Sequence, residues 1–344
     1  MCREWRAYDW FKVELLPVSS RLPMKPLRVI FMGTAPLAAV SLEALIKEPS
    51  VELAAVVTQP DRPKGRQLQP QPSAVKEVAQ RHQLPVLQPE KARHEDFVQR
   101  LSSLQPELIV VAAYGQILPA SILDLPRFRC INVHASLLPK HRGAAPVQWA
   151  ILNGDSQTGV TIMQMEPTLD TGPILTQATT PITPEDDAQT VHDRLAIMGA
   201  ELLVCTIPDY VSGSITPRPQ PAEGASYARK ITKEDGRLDW SQPAQMLWNR
   251  LRGLAPWPGV YTFLPAEPHP LLLKLWQAAP LEQAAGRPGE ILQADKAGLV
   301  VACGTGALRI VTLQREGGRR MSPQEFLAGH SLKCGQFLTN GPPS

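Results

Sequence analysis

Apolar and polar positions alternate in blocks along the first two thirds of the chain. Leu27 to Met32 is a short apolar run ending at Gly33-Thr34, and Leu37 to Ile46 follows with apolar residues at helical spacing, so the pattern predicts strand, tight turn, helix. The unit recurs, with a strand over 53–57, a helix over 73–81, a short strand over 84–87 and a helix around 95–104. The runs at 108–112 and 130–133 are continuously apolar, as strands buried on both faces are. Beyond Asn153-Gly154, strands are expected over 160–165 and 174–180, with Asp170-Thr171-Gly172 as the turn between them. Val191, Leu195, Met198, Leu202 and Cys205 then recur at helical spacing in a segment running from Asp187 to about Tyr210. Strands alternating with helices predict an α/β fold, a doubly wound and mostly parallel sheet of the Rossmann-like kind.

The pattern changes at SGSITPRPQPAEGAS, residues 212–226, whose Pro, Gly and Ser content reads as an interdomain linker. One amphipathic helix over 243–251 follows, and then short runs at 260–264, 271–276, 290–292, 299–302 and 308–313. Five short strands broken by Pro and Gly predict a small β-barrel, with the oligonucleotide-binding (OB-like) type among the options. The expected organisation is an α/β domain over 24–211, the linker over 212–226 and the barrel domain over 227–340. Residues 1–23 look unlike the rest and match neither a signal nor a transit peptide, whereas MKPLRVIFMGT from Met24 reads like a natural protein start. They are expected to be an appended, disordered tail.

The composition, 43% hydrophobic and 19% charged over 344 residues, excludes disordered and fibrous classes. The net charge of +3 is uneven. From Ser226 onward there are 14 Lys/Arg against 9 Asp/Glu, while the preceding residues carry 21 against 23. An excess of basic residues in the C-terminal third fits a polyanionic partner there, and equally a solvated face. Five scattered cysteines without a close pair or a nearby His at ligand spacing point to a reduced, cytoplasmic protein without structural zinc. No run reaches the roughly 18 apolar residues of a membrane helix.

GTAPLAA, after the first strand, has one glycine, so the positions that admit a pyrophosphate in a dinucleotide-binding turn are missing. The candidate chemistry sits instead at CINVHASLLPKHRG. Asn132 and His134 project from the same side of a strand near its carboxyl end, where open α/β sheets bind ligands. An amide donates to an oxygen gaining negative charge, an imidazole moves protons near neutral pH, and Asp170 is the best candidate to orient it. The same pair also suits a structural role, with the His satisfied by a backbone carbonyl, and an Asp in a turn has local reasons to be there. Arg142 suits a carboxylate or phosphate, or plain solvent exposure.

Longer stretches change the balance. VTQPDRPKGR, ELIVVAAYGQILP, INVHASLLPKHRGAAPVQWAI and GVTIMQMEPTLDTGPIL, in this order, resemble the methionyl-tRNA formyltransferase family. YARKITKEDGRLDWSQPA, Pro256 to Gly259 and PGEILQADKAGLVVACGTGALRI resemble its C-terminal domain, so the likeness runs from about Lys25 to Leu338. It implies transfer of a formyl group from 10-formyltetrahydrofolate, a co-substrate, to the α-amino group of methionine on the initiator tRNA, with no metal, in a monomer. It implies that Asn132, His134 and Asp170 are catalytic. It implies a folate pocket lined by Tyr114, Gly115, Gln116, Ile117, Leu118 and Pro119, with Ser136, Leu137, Leu138 and Pro139 as a rigid turn behind the catalytic strand. It implies tRNA contacts by Arg62, Lys64 and Arg66 on the 61–76 segment, whose Pro and Gly content suggests a long flexible connection, and a tRNA-binding role for the barrel.

The chain departs from the family pattern at Gln67-Leu68-Gln69, where a lysine pair usually follows the loop arginine, and at GTAPLAA, where an acidic residue and Phe usually stand. Related enzymes formylate glycinamide ribonucleotide or amino-sugar nucleotides, and the second domain argues against the first of these. A non-enzymatic RNA-binding protein on a degenerate fold is the alternative of a different class, and it predicts loss of Asn132, His134 or Asp170.

Overall fold

The computed structural model describes residues 25–64, 69–266, 269–284 and 286–341. The tail expected at 1–23 and the loop residue Arg66 lie outside the described residues. The chain forms two units, one of Met1–Pro146, Gln157–Pro181 and His192–Ala228, the other of Val147–Ser156, Ile182–Val191 and Arg229–Ser344.

The first unit is built in the order β1 (Leu27–Gly33), α1 (Pro36–Ile46), β2 (Val51–Val57), β3 (Arg62–Lys64), β4 (Gln69–Gln71), α2 (Ala74–Arg81), β5 (Val86–Leu87), α3 (Glu95–Ser103), β6 (Leu108–Ala112), α4 (Ala120–Leu123), β7 (Cys130–His134) and β8 (Arg142–Gly143). Then, after α5 (Pro146–Leu152), which falls almost wholly in the second unit, come β9 (Gln157–Gln164), β10 (Ile174–Pro181), α6 (Ala188–Val211), whose first turn also falls in the second unit, and β11 (Tyr227–Ala228). Seven strands form one sheet in the order β10-β9-β7-β6-β1-β2-β5. It is parallel from β7 to β5, and β9 and β10 add antiparallel at the other edge. The mostly parallel α/β sheet expected from the sequence is therefore present. Its central strands β6 and β7 are buried at every position, which is why they read as unbroken apolar runs. Ile30, Met32, Val57, Ile109, Phe97 and Leu101 belong to one core cluster against this sheet.

The chain moves outward from β1 through β2 to β5 and then returns to place β6 on the other side of β1. That reversal opens a crevice at the carboxyl ends of β1 and β6, and β7 lies next to it. The segment 61–76, read as a plain connection, carries a short antiparallel ribbon in which β3 and β4 pair Arg62 with Gln71 and Lys64 with Gln69. Pro63 faces Pro70 in it. Prolines read as strand breakers, yet they fit a two-stranded edge where no further neighbour needs their missing N–H.

The second unit contains α7 (Ala244–Gly253), β12 (Val260–Leu264), β13 (Leu271–Leu281), β14 (Ile291–Asp295), β15 (Gly298–Ala302), β16 (Ala307–Arg315), β17 (Arg320–Met321) and α8 (Pro323–Gly329). The sheet is antiparallel, in the order β12-β13-β16-β15-β14, with β17 on β16. Its two edges are joined by the segment after α8, which bridges Thr339 to Phe263 on β12 and Phe337 to Glu290 beside β14. Joining the edges in this way leaves few unpaired strand groups, as small barrels require. Trp240 is fully buried in this unit and donates its indole N–H to Thr262 Oγ1 at 2.9 Å.

Candidate active site at the carboxyl end of the sheet

β7 is buried along its whole length, so Asn132 and His134 are carried into the protein by the apolar residues between and before them. Asn132 pairs with Val111 of β6, and His134 pairs with Thr161 of β9. Among the described residues the Asn132 side-chain amide makes no hydrogen bond, although it is 9% exposed. An amide held there without a partner is a donor waiting for an oxygen.

His134 is fixed through Nε2, which lies 3.0 Å from the carbonyl oxygen of His141. A carbonyl only accepts, so Nε2 carries the proton of that bond and Nδ1 is the nitrogen left for proton exchange. Nδ1 faces Asp170 Oδ2 at 3.7 Å, and both side chains are about nine-tenths buried. That spacing is longer than a direct hydrogen bond and suits a water or a moving proton between the two.

Asp170 sits between β9 and β10 with φ +52°, in the left-handed region. This conformation costs an ordinary residue about 1–2 kcal/mol and is tolerated best by Asn and Asp. Two bonds hold it. The Gly143 N–H donates to Asp170 Oδ2 at 2.8 Å, and the Gln220 side-chain N–H donates to the Asp170 carbonyl at 2.9 Å. Gly143 has φ +111°, and a Cβ there would lie 2.7 Å from the Ala228 carbonyl, because β8 pairs closely with β11. Gly172, on the same loop, leaves 1.9 Å between a hypothetical Cβ and the Gln164 carbonyl. The D-T-G sequence is thus a packing requirement as well as a turn.

A cavity of ≈350 Å³ lies at the strand-order reversal, lined by Thr34, Pro36, Gln59, Ala113, Tyr114 and Gly115 among others. Asn132, His134 and Asp170 are not among its lining residues. Asn132 and His134 belong to the adjacent strand β7, about 5 Å along the sheet, and Asp170 to the loop between β9 and β10. The Tyr114 carbonyl accepts from Thr34 Oγ1 and Gln59 Nε2, tying the two strand ends together. The Tyr114 phenol is buried with no hydrogen-bond partner among the described residues, and burial pushes its pKa to about 12.

The residues expected to line a folate pocket are dispersed. Tyr114 and Gly115 line the cavity. The Gln116 amide is committed to Ala92 N and the carbonyls of Pro89 and Glu90. Ile117 is 81% exposed, Leu118 is buried, and Pro119 precedes the first turn of α4. In the Ser136–Pro139 turn, whose Leu138–Pro139 peptide is cis, Ser136 Oγ donates to the Lys140 carbonyl, and Leu138 N–H donates to Thr161 Oγ1. Leu137 lies in the same turn, half-buried. Arg62 is exposed and faces Glu90 at 3.7 Å, while Lys64 is placed by its backbone in β3.

Residues 27–207 match the family described as Formyl transferase, and residues 230–331 match Formyl transferase, C-terminal domain. The chain is 48% identical to the methionyl-tRNA formyltransferase of Citrifermentans bemidjiense over 315 residues, spanning 92% of this chain and 97% of that protein. It is also 48% identical to the methionyl-tRNA formyltransferase of Trichlorobacter lovleyi, over 90% of this chain and 96% of that one. The chain belongs to the methionyl-tRNA formyltransferase family. Among solved structures, the N-formyltransferase of Helicobacter canadensis, in complex with folinic acid and dTDP-3-aminofucose, shares the fold. Its TM-score is 0.59 at 16% identity, over 83% of this chain and 99% of that one.

For a methionyl-tRNA formyltransferase, the residues that sequence reasoning passed over are those supporting the centre. The His141 carbonyl and the Gly143 N–H are backbone groups, which leave no trace in a residue pattern. A glycine directly after a basic turn was the available hint for Gly143. Gln220 lies in the Pro-rich 212–226 segment and carried no signal. Arg142 is taken up by it, with Nε and Nη2 donating to Gln220 Oε1 at 3.1 and 2.7 Å.

Proposed function

We propose that this protein transfers the formyl group of 10-formyltetrahydrofolate to the α-amino group of methionine on initiator tRNA, for translation initiation. The observation that carries the reading is near-full-length similarity to methionyl-tRNA formyltransferases across both units. The unpartnered amide of Asn132, beside a His134 whose Nδ1 faces Asp170, suits the chemistry.

The folate co-substrate supplies an activated formyl carbon bonded to nitrogen. Asn132 donates to the formyl oxygen as the amine attacks and negative charge collects there. His134 Nδ1, through a water shared with Asp170, takes the proton that the amine loses and returns one to the departing folate nitrogen. Asp170 stabilises the imidazolium while that proton is held. Tyr114 and Gly115 line the cavity beside these groups, where the folate ring system would sit. The 24–211 region carries the transfer, and the 227–340 region together with Arg62, Lys64 and Arg66 holds the tRNA. The enzyme acts as a cytoplasmic monomer.

The test is a transfer assay with 10-formyltetrahydrofolate and methionyl initiator tRNA, with uncharged tRNA as control and an amino-sugar nucleotide as a second acceptor. Formylation of the charged tRNA alone is the expected result. No transfer to it from folded protein would sink the reading, and transfer to the sugar would move the chain to a different acceptor class.

A further inference from the structure

We infer that Gln220 is a positioning residue for the transfer: it holds Asp170 in its left-handed conformation and so fixes the carboxylate opposite His134 Nδ1. The inference rests on the functional reading above, because Asp170 is assigned its role there.

Gln220 reaches this position through its neighbours. It stands between Pro219 and Pro221, and a residue before proline is driven to extended backbone, which applies to both Arg218 and Gln220. Arg218 pairs with Ile174 at the start of β10 through two backbone bonds of 2.7 and 2.9 Å. Two residues later, the Gln220 amide reaches the Asp170 loop and Arg142, with a further weak contact from Nε2 to Met163 Sδ at 3.9 Å. Its Nε2 donates to the carbonyls of Asp170 and Gly172 at 2.9 and 2.8 Å, and its Oε1 accepts from Arg142. The same chain segment then returns to β8, where the Ser226 and Ala228 carbonyls accept from Arg142 and Ala144 N–H groups.

Asp170 is therefore held at both ends by one dipeptide. Its carboxylate is bound by the Gly143 N–H, and its own carbonyl is bound through Gln220 to Arg142. A left-handed non-glycine residue persists only where its surroundings over-determine it. Without the Gln220 donor, the peptide between Asp170 and Thr171 is able to rotate, which swings the carboxylate away from His134. Misplacement of a catalytic group by about 1 Å costs on the order of 100-fold in rate.

The side chain has two separable functions, so two variants separate them. Gln220→Glu keeps an acceptor for Arg142 but turns the donor into an oxygen facing two carbonyls, and Gln220→Met keeps the volume and loses both. We expect both to lower kcat by roughly 10- to 100-fold with KM for methionyl-tRNA and for folate within about twofold. In an Asp170→Ala background, Gln220→Met is expected to cost less than about twofold more, because its effect passes through Asp170. Crystal structures of the Met variant are expected to show the peptide between residues 170 and 171 rotated or the Nδ1 to Oδ2 distance widened. Independent, multiplying losses in the double variant, or Gln220→Glu with wild-type kcat, overturn the inference while leaving the function intact. Absence of transfer by the wild-type enzyme overturns the functional reading and the inference with it.

Discussion

Because the His141 carbonyl can only accept, the two nitrogens of His134 are in different settings, and Nδ1 is the one facing Asp170. His134→Ala is expected to lower turnover by ~10²-fold or more with tRNA binding little changed, since acid–base and oxyanion contributions are of that size. Steady-state kinetics beside a filter-binding titration checks it, and equal turnover would remove the assigned role. Tyr114 gives a prediction of another kind. Its hydroxyl is buried without a partner among the described residues, and its pKa is raised from 10.0 to about 12 by burial. The unfolded chain releases this proton first, so the associated stability is complete below pH 10 and is lost as pH rises towards 12. Tyr114→Phe is expected to melt at least as high as the wild type at pH 7 and to lose less between pH 9 and pH 11. Asn132 and His134 were legible as residues because strand alternation fixes which side they share. Their supports were not, since a carbonyl, an N–H and an amide in a Pro-rich segment have no sequence signature.

At the level of elements, β8 and β11 are only two residues each, yet their pairing sets the position of the Gly143 N–H. Gly143→Ala brings a Cβ to 2.7 Å from the Ala228 carbonyl at φ +111°, so the two strands must separate. The expected outcome is a loss of at least roughly tenfold in kcat, because a small displacement of Asp170 is amplified in the rate. An unaltered kcat would show that the pairing does not position the carboxylate. In the second unit, α8 starts with a capping box in which Ser322 Oγ accepts from the Glu325 N–H and the Glu325 carboxylate accepts from the Ser322 N–H. Ser322→Ala is expected to cost about 1 kcal/mol of stability, read from denaturant unfolding. Long periodic elements such as α6 were readable from the sequence, as were the buried runs β6 and β7. The β3–β4 ribbon and the two-residue strands were not, because pairing over so few residues depends on what lies opposite rather than on a period.

On the scale of the whole molecule, the sequence already separated an alternating α/β region from a run of short strands, and both architectures are present. How the barrel edges close was hidden, since the segment containing Phe337 and Thr339 makes isolated bridges rather than a strand. The charge division carries a functional expectation. The net of +5 from Ser226 onward lies in the 227–340 region assigned to the tRNA. KM for methionyl-tRNA is therefore expected to rise steeply between 50 and 200 mM salt, with roughly a tenfold loss of affinity per two or so phosphate contacts, while KM for folate changes far less. Parallel salt titrations of the two constants check this, and equal slopes would argue against phosphate contacts.

The neighbour that follows Gln220 has a chemical consequence of its own. A side-chain amide is lost over time when the next residue's backbone nitrogen attacks it, closing a cyclic imide that hydrolyses to an acid. Pro221 has no N–H to perform that attack. The amide that donates to the Asp170 and Gly172 carbonyls is thus protected from the spontaneous ageing reaction that would turn it into a repelling carboxylate. The rigid residue that sets the backbone there also closes the cyclic-imide route of amide loss.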